Sequence, residues 1–195
     1  MKYHLFGHLK IVTIHRYRVF INCCHLGIPL QGLVHDLSKF NPQEFLPSAK
    51  YYQGNSSPIF AQRKNENLYS SICVHHTNHN KHHFEYWIDI YRGDLLLKAM
   101  PFKYVLEYLA DVISASETYN KKNYNKNMPF EYFSNRYKYY LMNEGTINCL
   151  LELFKIYSET GFKHLHKKET KIIYKKYHDL YPDVELVKVK SLNNN

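Results

Sequence analysis

Five of the chain's 13 histidines fall within nine residues, in the stretch HHTNHNKHH: His75, His76, His79, His82 and His83. Placed on a helix at ~100° per residue, all five lie within an arc of about 120°. Neutral imidazole is the commonest side-chain metal ligand near pH 7, so such a stripe is suited to a divalent ion. A solvated polar helix face would read the same way, and the stripe gains weight only if carboxylates and further imidazoles come from elsewhere. The chain supplies them. His35 and Asp36 are adjacent in HDLSKFNPQEF, and His15 stands 20 residues earlier. Asp111 sits in YLADVISASE among apolar neighbours that should face a core, where a carboxylate is costly unless paired or bound to a metal. Glu107, four residues before it, falls on the same helix face and fits a partner that steadies a ligand. Ser38 reads as a helix-capping or ligand-supporting hydroxyl rather than a nucleophile, because no histidine–acid pair is dedicated to activating it. Glu44 is a helix-start acid unless the fold turns it inward.

These side chains must be carried by helices. KIVTIHRYRVFINCCHLG places Ile11, Ile14, Val19, Cys23 and Leu26 in a helical rhythm and stops at Gly27. A short helix carries His35 and Asp36, and Asn41 with Pro42 reads as the cap and first turn of the next. YYQGNSSPIF is a loop. One long helix, broken near Asn78, is expected over about 61–91, with RGDLLLKAMP closing it. FKYVLEYLADVISASETY forms a helix that buries Val105, Leu109, Val112 and Ile113. After the polar linker NKKNYNKN come helices over MPFEYFSNRYKYYLMN, EGTINCLLELFKIYSETG and KETKIIYKKYHDLY, and SLNNN reads as a frayed end. No stretch alternates clearly enough to be a strand. The expected fold class is all-α, a single helical domain with a metal-binding core over residues 1–125 and a C-terminal helical extension over 126–195 packed on it.

Composition bounds the rest. A chain of 195 residues is long enough for one domain with a real core, and 45% hydrophobic residues exclude a disordered chain. Seven glycines and seven prolines are few for a β-sandwich with many tight turns. The formal net charge of +9 suits nucleotides, nucleic acid or anionic surfaces without choosing among them, and part of it is the solvated basic stretch 163–190. Cys23, Cys24, Cys73 and Cys149 form no C-x-x-C pair, which points to free thiols in a reducing, cytoplasmic setting. No run approaches the ~20 apolar residues of a membrane span, and histidines and a lysine interrupt the N-terminus where a signal peptide would be apolar. The abundance of Lys, Asn, Tyr and Ile is that of a strongly AT-rich genome.

In chain order, His15, His35-Asp36, the histidine group and Asp111 resemble the H…HD…H…H…D signature of the HD-domain superfamily. HDLSK is similar to the HD-x-x-K variant of HD-GYP phosphodiesterases, although FEYW stands where GYP would follow. HHTNHNKHHFEYW followed by MPFKYVLEYLADVISAS resembles more closely a small uncharacterised HD-like family of bacteria and phages. The resemblance covers roughly residues 10–120. It implies an HD-like helical bundle holding one or two divalent ions (Mn, Fe, Co, Mg, Ni or Zn). It also implies a phosphohydrolase, a phosphatase or phosphodiesterase acting on a nucleotide, cyclic nucleotide or short oligonucleotide. His15, His35, Asp36 and Asp111 match the primary ligands. One of His75 and His76 and one of His82 and His83 match the ligands of a second metal, and Lys39 matches the phosphate-contacting lysine. On that reading Asp36 bridges and orients the attacking water, and His79, or whichever histidine of each adjacent pair is not a ligand, protonates the leaving oxygen. Tyr86 and Trp87 offer faces for a base, core packing being the commoner role of such a pair. Two other readings stay open: an HD-fold di-iron oxygenase, and a non-catalytic basic module that binds nucleic acid or protein through KHLHKKETKIIYKKYHDLY. Oligomeric state is left open.

Overall fold

Pro101 opens α6 (Phe102–Asn120), a position that suits a residue with no backbone donor. In the computed structural model, which describes residues 3–189, α6 is buried nearly all round. Val105, Leu109, Val112 and Ile113 face inward as their spacing predicts, and Leu106, Tyr108 and Ala110 are buried with them. A helix apolar on every side has to be enclosed by other elements. α1 (Leu5–His25) packs on it through a buried hydrogen bond from Asn22 Nδ2 to Ser114 Oγ, 2.9 Å. α7 (Met128–Ser134) and α8 (Glu144–Thr160) add Phe133, Leu150, Leu153 and Phe154 to the apolar cluster that holds Val19, Leu106 and Leu109. Residues on both sides of 125 therefore share one core. Along α1 the inward positions are His8, Val12, His15, Val19, Asn22 and Cys23, whereas Ile14 is exposed. The inward face of α1 thus mixes imidazoles with aliphatics.

The long helix expected over 61–91 does not form. α4 (Pro58–Asn65) and α5 (Ser71–His79) are separate helices, each started by a serine. Ser57 Oγ accepts from Ile59 N at 3.4 Å, and Ser70 Oγ accepts from Cys73 N at 3.1 Å. Past α5, a 3-10 turn (Phe84–Trp87) leads into a hairpin of β1 (Ile88–Tyr91) and β2 (Asp94–Lys98). Arg92 and Gly93 turn it with φ of 52° and 85°, the geometry of a tight two-residue turn. α9 (Lys167–Leu180) then delivers β3 (Val184–Val187), which pairs antiparallel with β2, Leu97 opposite Glu185. The sheet order is β1-β2-β3. The architecture is therefore mostly helical with a small three-stranded sheet, a correction to the all-α expectation. The strands are four or five residues long and partly exposed on both faces, so they leave no strict alternation to read. The helix expected from Met128 onward stops at Ser134, followed by a 3-10 turn at Tyr137–Tyr139. The expected fraying of 191–195 lies outside the described residues. Among those residues, no helix is long and apolar enough to cross a membrane.

One turn matters most for chemistry. α2 (Pro29–Val34) ends where His35 leaves helical geometry. Asp36 follows in the left-handed region (φ 52°, ψ 31°), and a 3-10 turn (Leu37–Phe40) leads to α3 (Pro42–Lys50). Asparagine and aspartate tolerate left-handed backbone better than most residues. Arg16 of α1 pins this turn: its Nε donates to His35 O at 2.8 Å and its Nη2 to Leu33 O at 3.0 Å. Asn41 caps α3 as expected, its side chain accepting from Gln43 N at 2.9 Å. Replacing Arg16 by Ala should cost about 1–3 kcal/mol in urea unfolding and lower the metal content of the purified protein, although no candidate ligand is touched. Full metal content in that variant would mean the turn holds its shape without Arg16.

Candidate metal centre

Asp36, 1% exposed, is surrounded by imidazoles. His35 Nε2 lies 3.1 Å from its Oδ2, and the Nε2 atoms of His76 and His82 lie 3.5 and 3.6 Å from its Oδ1. Asp111, reaching in from α6, sets Oδ1 2.9 Å from His15 Nε2 and 3.6 Å from His35 Nε2. Lys39 Nζ stands 2.6 Å from Asp36 Oδ2. The His83 ring is 4.3 Å from that of His82 and 4.6 Å from that of His76. Two sets of donor atoms gather within 4.8 Å: His15, His35, Asp36 and Asp111 in one, His76, His82 and His83 in the other.

Two buried acids aim these rings. Glu107 Oε1 accepts from His35 Nδ1 at 2.8 Å and faces His82 Nδ1 at 3.2 Å, while Gln31 Nε2 donates to its Oε2 at 2.7 Å. Glu44 takes His76 Nδ1 at 2.8 Å and His75 Nδ1 at 2.9 Å. Ser38 Oγ donates to Glu44 at 2.8 Å, and Asn80 Nδ2 donates to Ser38 Oγ at 2.7 Å. A carboxylate on Nδ1 fixes the tautomer that leaves a lone pair on Nε2, and here Nε2 points at Asp36. His35, His82 and Glu107 also cluster closely, but their contact is through Nδ1, on the side away from Asp36, so this group supports the ligands.

The donor set fits a cation. His35 Nε2, His82 Nε2, His83 Nε2 and Asp36 Oδ1 are buried and make no hydrogen bond among the described residues. Each such atom costs about 1–3 kcal/mol if left unmet, and a divalent ion in each of the two sets would satisfy them. Burial alone would neutralise Asp36, but His35, Lys39 and His76 hold its carboxyl well below the usual range. Burial likewise opposes charge on Asp111, and His15 and His35 overcome it. The same attraction acts in reverse on His35: burial disfavours its charge, yet Asp36, Asp111 and Glu107 raise its pKa well above the ordinary value. Burial pushes His15 and His83 down, leaving neutral imidazoles.

The structure brings together His15, His35, Asp36, His76, His82, His83 and Asp111, with Lys39 beside them. It does not bring in His75, which stands behind the ligands as a donor to Glu44. His79 is corrected: it is exposed, its Nδ1 donates to His75 O at 2.7 Å and its ring stacks on His75 at 4.1 Å, so it is not placed as an acid. The five-histidine arc also fails as geometry, because α5 ends at His79. The extended backbone of Asn80 redirects the chain, and His82 and His83 arrive from the irregular stretch beyond it. Tyr86 and Trp87 are corrected too. Trp87 donates to Lys81 O at 2.8 Å and packs on Tyr104, Tyr86 lies under the Lys81 ammonium, and neither lines the space around the centre. Glu107 contacts the rings of His35 and His82, and Ser38 contacts Glu44. Glu44, a helix-start acid unless the fold turns it inward, is turned inward. His8 was not singled out in the sequence, although it stands seven residues before His15, on the same face of α1.

Three cavities of about 220, 300 and 300 Å³ open on the centre among the described residues, all sharing Ser57, Asp111 and Tyr132. His8, Lys39 and Tyr119 line the smallest; Arg63 and Arg136 line one of the larger two.

Metal binding needs neutral imidazoles, and His35 favours its charged form. Loading metal at pH 7 should therefore release a proton, and affinity should rise as pH rises toward 8. Calorimetry in buffers of different ionisation enthalpy checks this, and a heat independent of the buffer would contradict it. Glu107→Gln should weaken metal affinity by about 10- to 100-fold, read by chelator competition. Unchanged affinity would show that packing alone aims the rings.

The chain belongs to DUF5662, a family of unknown function, whose match spans residues 4–156 and so takes in every residue of the centre. No curated protein and no solved structure matches it.

Proposed function

We propose that the protein is a metal-dependent phosphohydrolase of the HD type, hydrolysing a phosphoester or phosphodiester bond in a nucleotide-like substrate. The observation that carries this reading is the gathering of seven donor residues, Asp36 among them, with buried acids behind the rings and a lysine in front. The order of these residues along the chain is that of the HD signature. His15, His35, Asp36 and Asp111 would hold one divalent ion, and His76, His82 and His83 a second, with Asp36 between the two sets. Bound there, such ions lower the pKa of water toward ~7 and polarise a phosphoryl group.

The chain's own residues do the rest. Glu107 and Glu44 keep the imidazoles in the tautomer and direction that ligation needs. Lys39 supplies a positive charge at the cavity wall, where a phosphoryl oxygen would take over part of its pairing with Asp36. That ammonium favours a phosphate ester over dioxygen as the reactant, since dioxygen gives it no anion to bind. Ile11, Val12, Ile59 and Ile72 give the same cavity an aliphatic side.

Metal analysis of wild type beside Asp36→Ala and Asp111→Ala, with a panel of nucleotides and phosphodiesters under Mn²⁺, Mg²⁺, Co²⁺ or Fe²⁺, tests the reading. Both variants should lose metal and turnover together. Lys39→Met should keep its metal and lose about 10²- to 10³-fold in kcat. Full metal in Asp36→Ala would overturn the site, and bound metal with no turnover of any phosphate ester would overturn the chemistry.

A further inference from the structure

We propose that the 220 Å³ cavity beside the centre holds a hydroxyl-bearing, sugar-like part of the substrate, and that His8 binds one of its hydroxyls. This rests on the phosphohydrolase reading for the phosphate end.

His8 is 4% exposed, and neither of its ring nitrogens makes a hydrogen bond among the described residues. It lies two turns from His15 on the inward face of α1 and lines the cavity together with Lys39 and Asp111. Its ring is held in place by apolar contacts, 5.1 Å from Phe45 and 6.0 Å edge-on from Tyr52. Two buried, unmet nitrogens are expensive, and since the ring lines the cavity, a small turn of it toward that space would bring a nitrogen to a partner there.

The chemistry of that partner follows from the state of the ring. Burial, helped by the Lys39 charge and opposed by Glu44, lowers the pKa of His8 to about 4. The imidazole is therefore neutral at pH 7, with one donor and one acceptor. A phosphate offers only acceptors and would set an anion against the ring's lone pair. A hydroxyl both donates and accepts, and matches. Lys39 takes the anion nearer the centre, so the two groups divide an alcohol phosphate between them. Beside the candidate ligands and Glu44, the lining holds four hydroxyl-bearing residues, Ser48, Ser57, Tyr119 and Tyr132, that could meet further hydroxyls. The volume is below the ~300–1,000 Å³ usual for drug-sized ligands, which suits a sugar rather than a nucleic acid strand.

The test is calorimetric titration of metal-loaded protein with inorganic phosphate, butyl phosphate and ribose 5-phosphate. In wild type, ribose 5-phosphate should bind tightest. His8→Phe should weaken it by roughly three- to tenfold and leave the other two unchanged, while raising Tm by removing the unmet nitrogens. His8→Gln, which keeps a donor and an acceptor, should retain most of the affinity; His8→Leu serves if the Phe variant does not fold. Equal loss for all three ligands, or none, would overturn the assignment to a hydroxyl and leave His8 a buried residue satisfied by water. If inorganic phosphate fails to bind the metal-loaded wild type, the phosphohydrolase reading falls and this inference with it. If phosphate binds and ribose 5-phosphate binds no better, only the inference falls.

Discussion

Asp36 keeps a negative charge where water cannot reach it, and much of the structure can be understood as the means of holding that charge. An isolated carboxylate at this depth would take up a proton. His35, His76, His82 and Lys39 prevent it by crowding the two oxygens at 2.6 to 3.6 Å. Such an arrangement punishes the loss of one partner more than it rewards the presence of all, because an unpaired charge stays behind. The backbone shares in this. Asp36 adopts left-handed geometry between a short helix and a 3-10 turn, and that reversal lets two adjacent side chains, His35 and Asp36, face the same point.

The support behind the ligands has a repeated logic. Glu107 meets the Nδ1 atoms of His35 and His82, and Glu44 meets those of His75 and His76. Each acid is buried, each is kept ionised by the rings it holds, and each comes from a helix that carries none of those rings. Glu107 lies between Leu106 and Tyr108 on α6, the most enclosed helix, so the packing of the core bears directly on the direction of two imidazoles. The centre is thus built into the core, and the cavities around it lie between α1, α4, α5 and α6.

What was legible in the sequence is what depends on residue type and local rhythm. The burial of Val105, Leu109, Val112 and Ile113, the Asn41 cap, and the cost of placing Asp111 among apolar neighbours could all be read from the chain. Asp111 stood out because a core carboxylate needs cations or ligands wherever it lies, whereas the set of His15, His35, Asp36 and Asp111 rested on the resemblance of its order to the HD signature. The path of the chain after His79 could not. Helical periodicity put His82 and His83 on the right side by an incorrect route, since the helix ends and an extended Asn80 does the turning. The hairpin was hidden because short, half-exposed strands carry no alternation, and β3 arrives from the far end of the chain. His75 and His76 were indistinguishable by composition; only the fold decides which ring faces Asp36 and which stands behind Glu44. His79 shows the converse, a histidine of the right type carried to the outer face by one more turn of α5.

The Nε2 atoms around Asp36 lie at distances that suit divalent ions. The most direct measurement is a crystal structure with anomalous data collected at the absorption edge of the metal found in the purified protein. Anomalous density should appear bonded to Asp36 and to Nε2 of His35, with His15 and Asp111 completing that set, and an ion should appear at the second set, His76, His82 and His83, once metal is supplied in excess. Electron density showing only water among these side chains, in protein grown with added divalent metal, would contradict it.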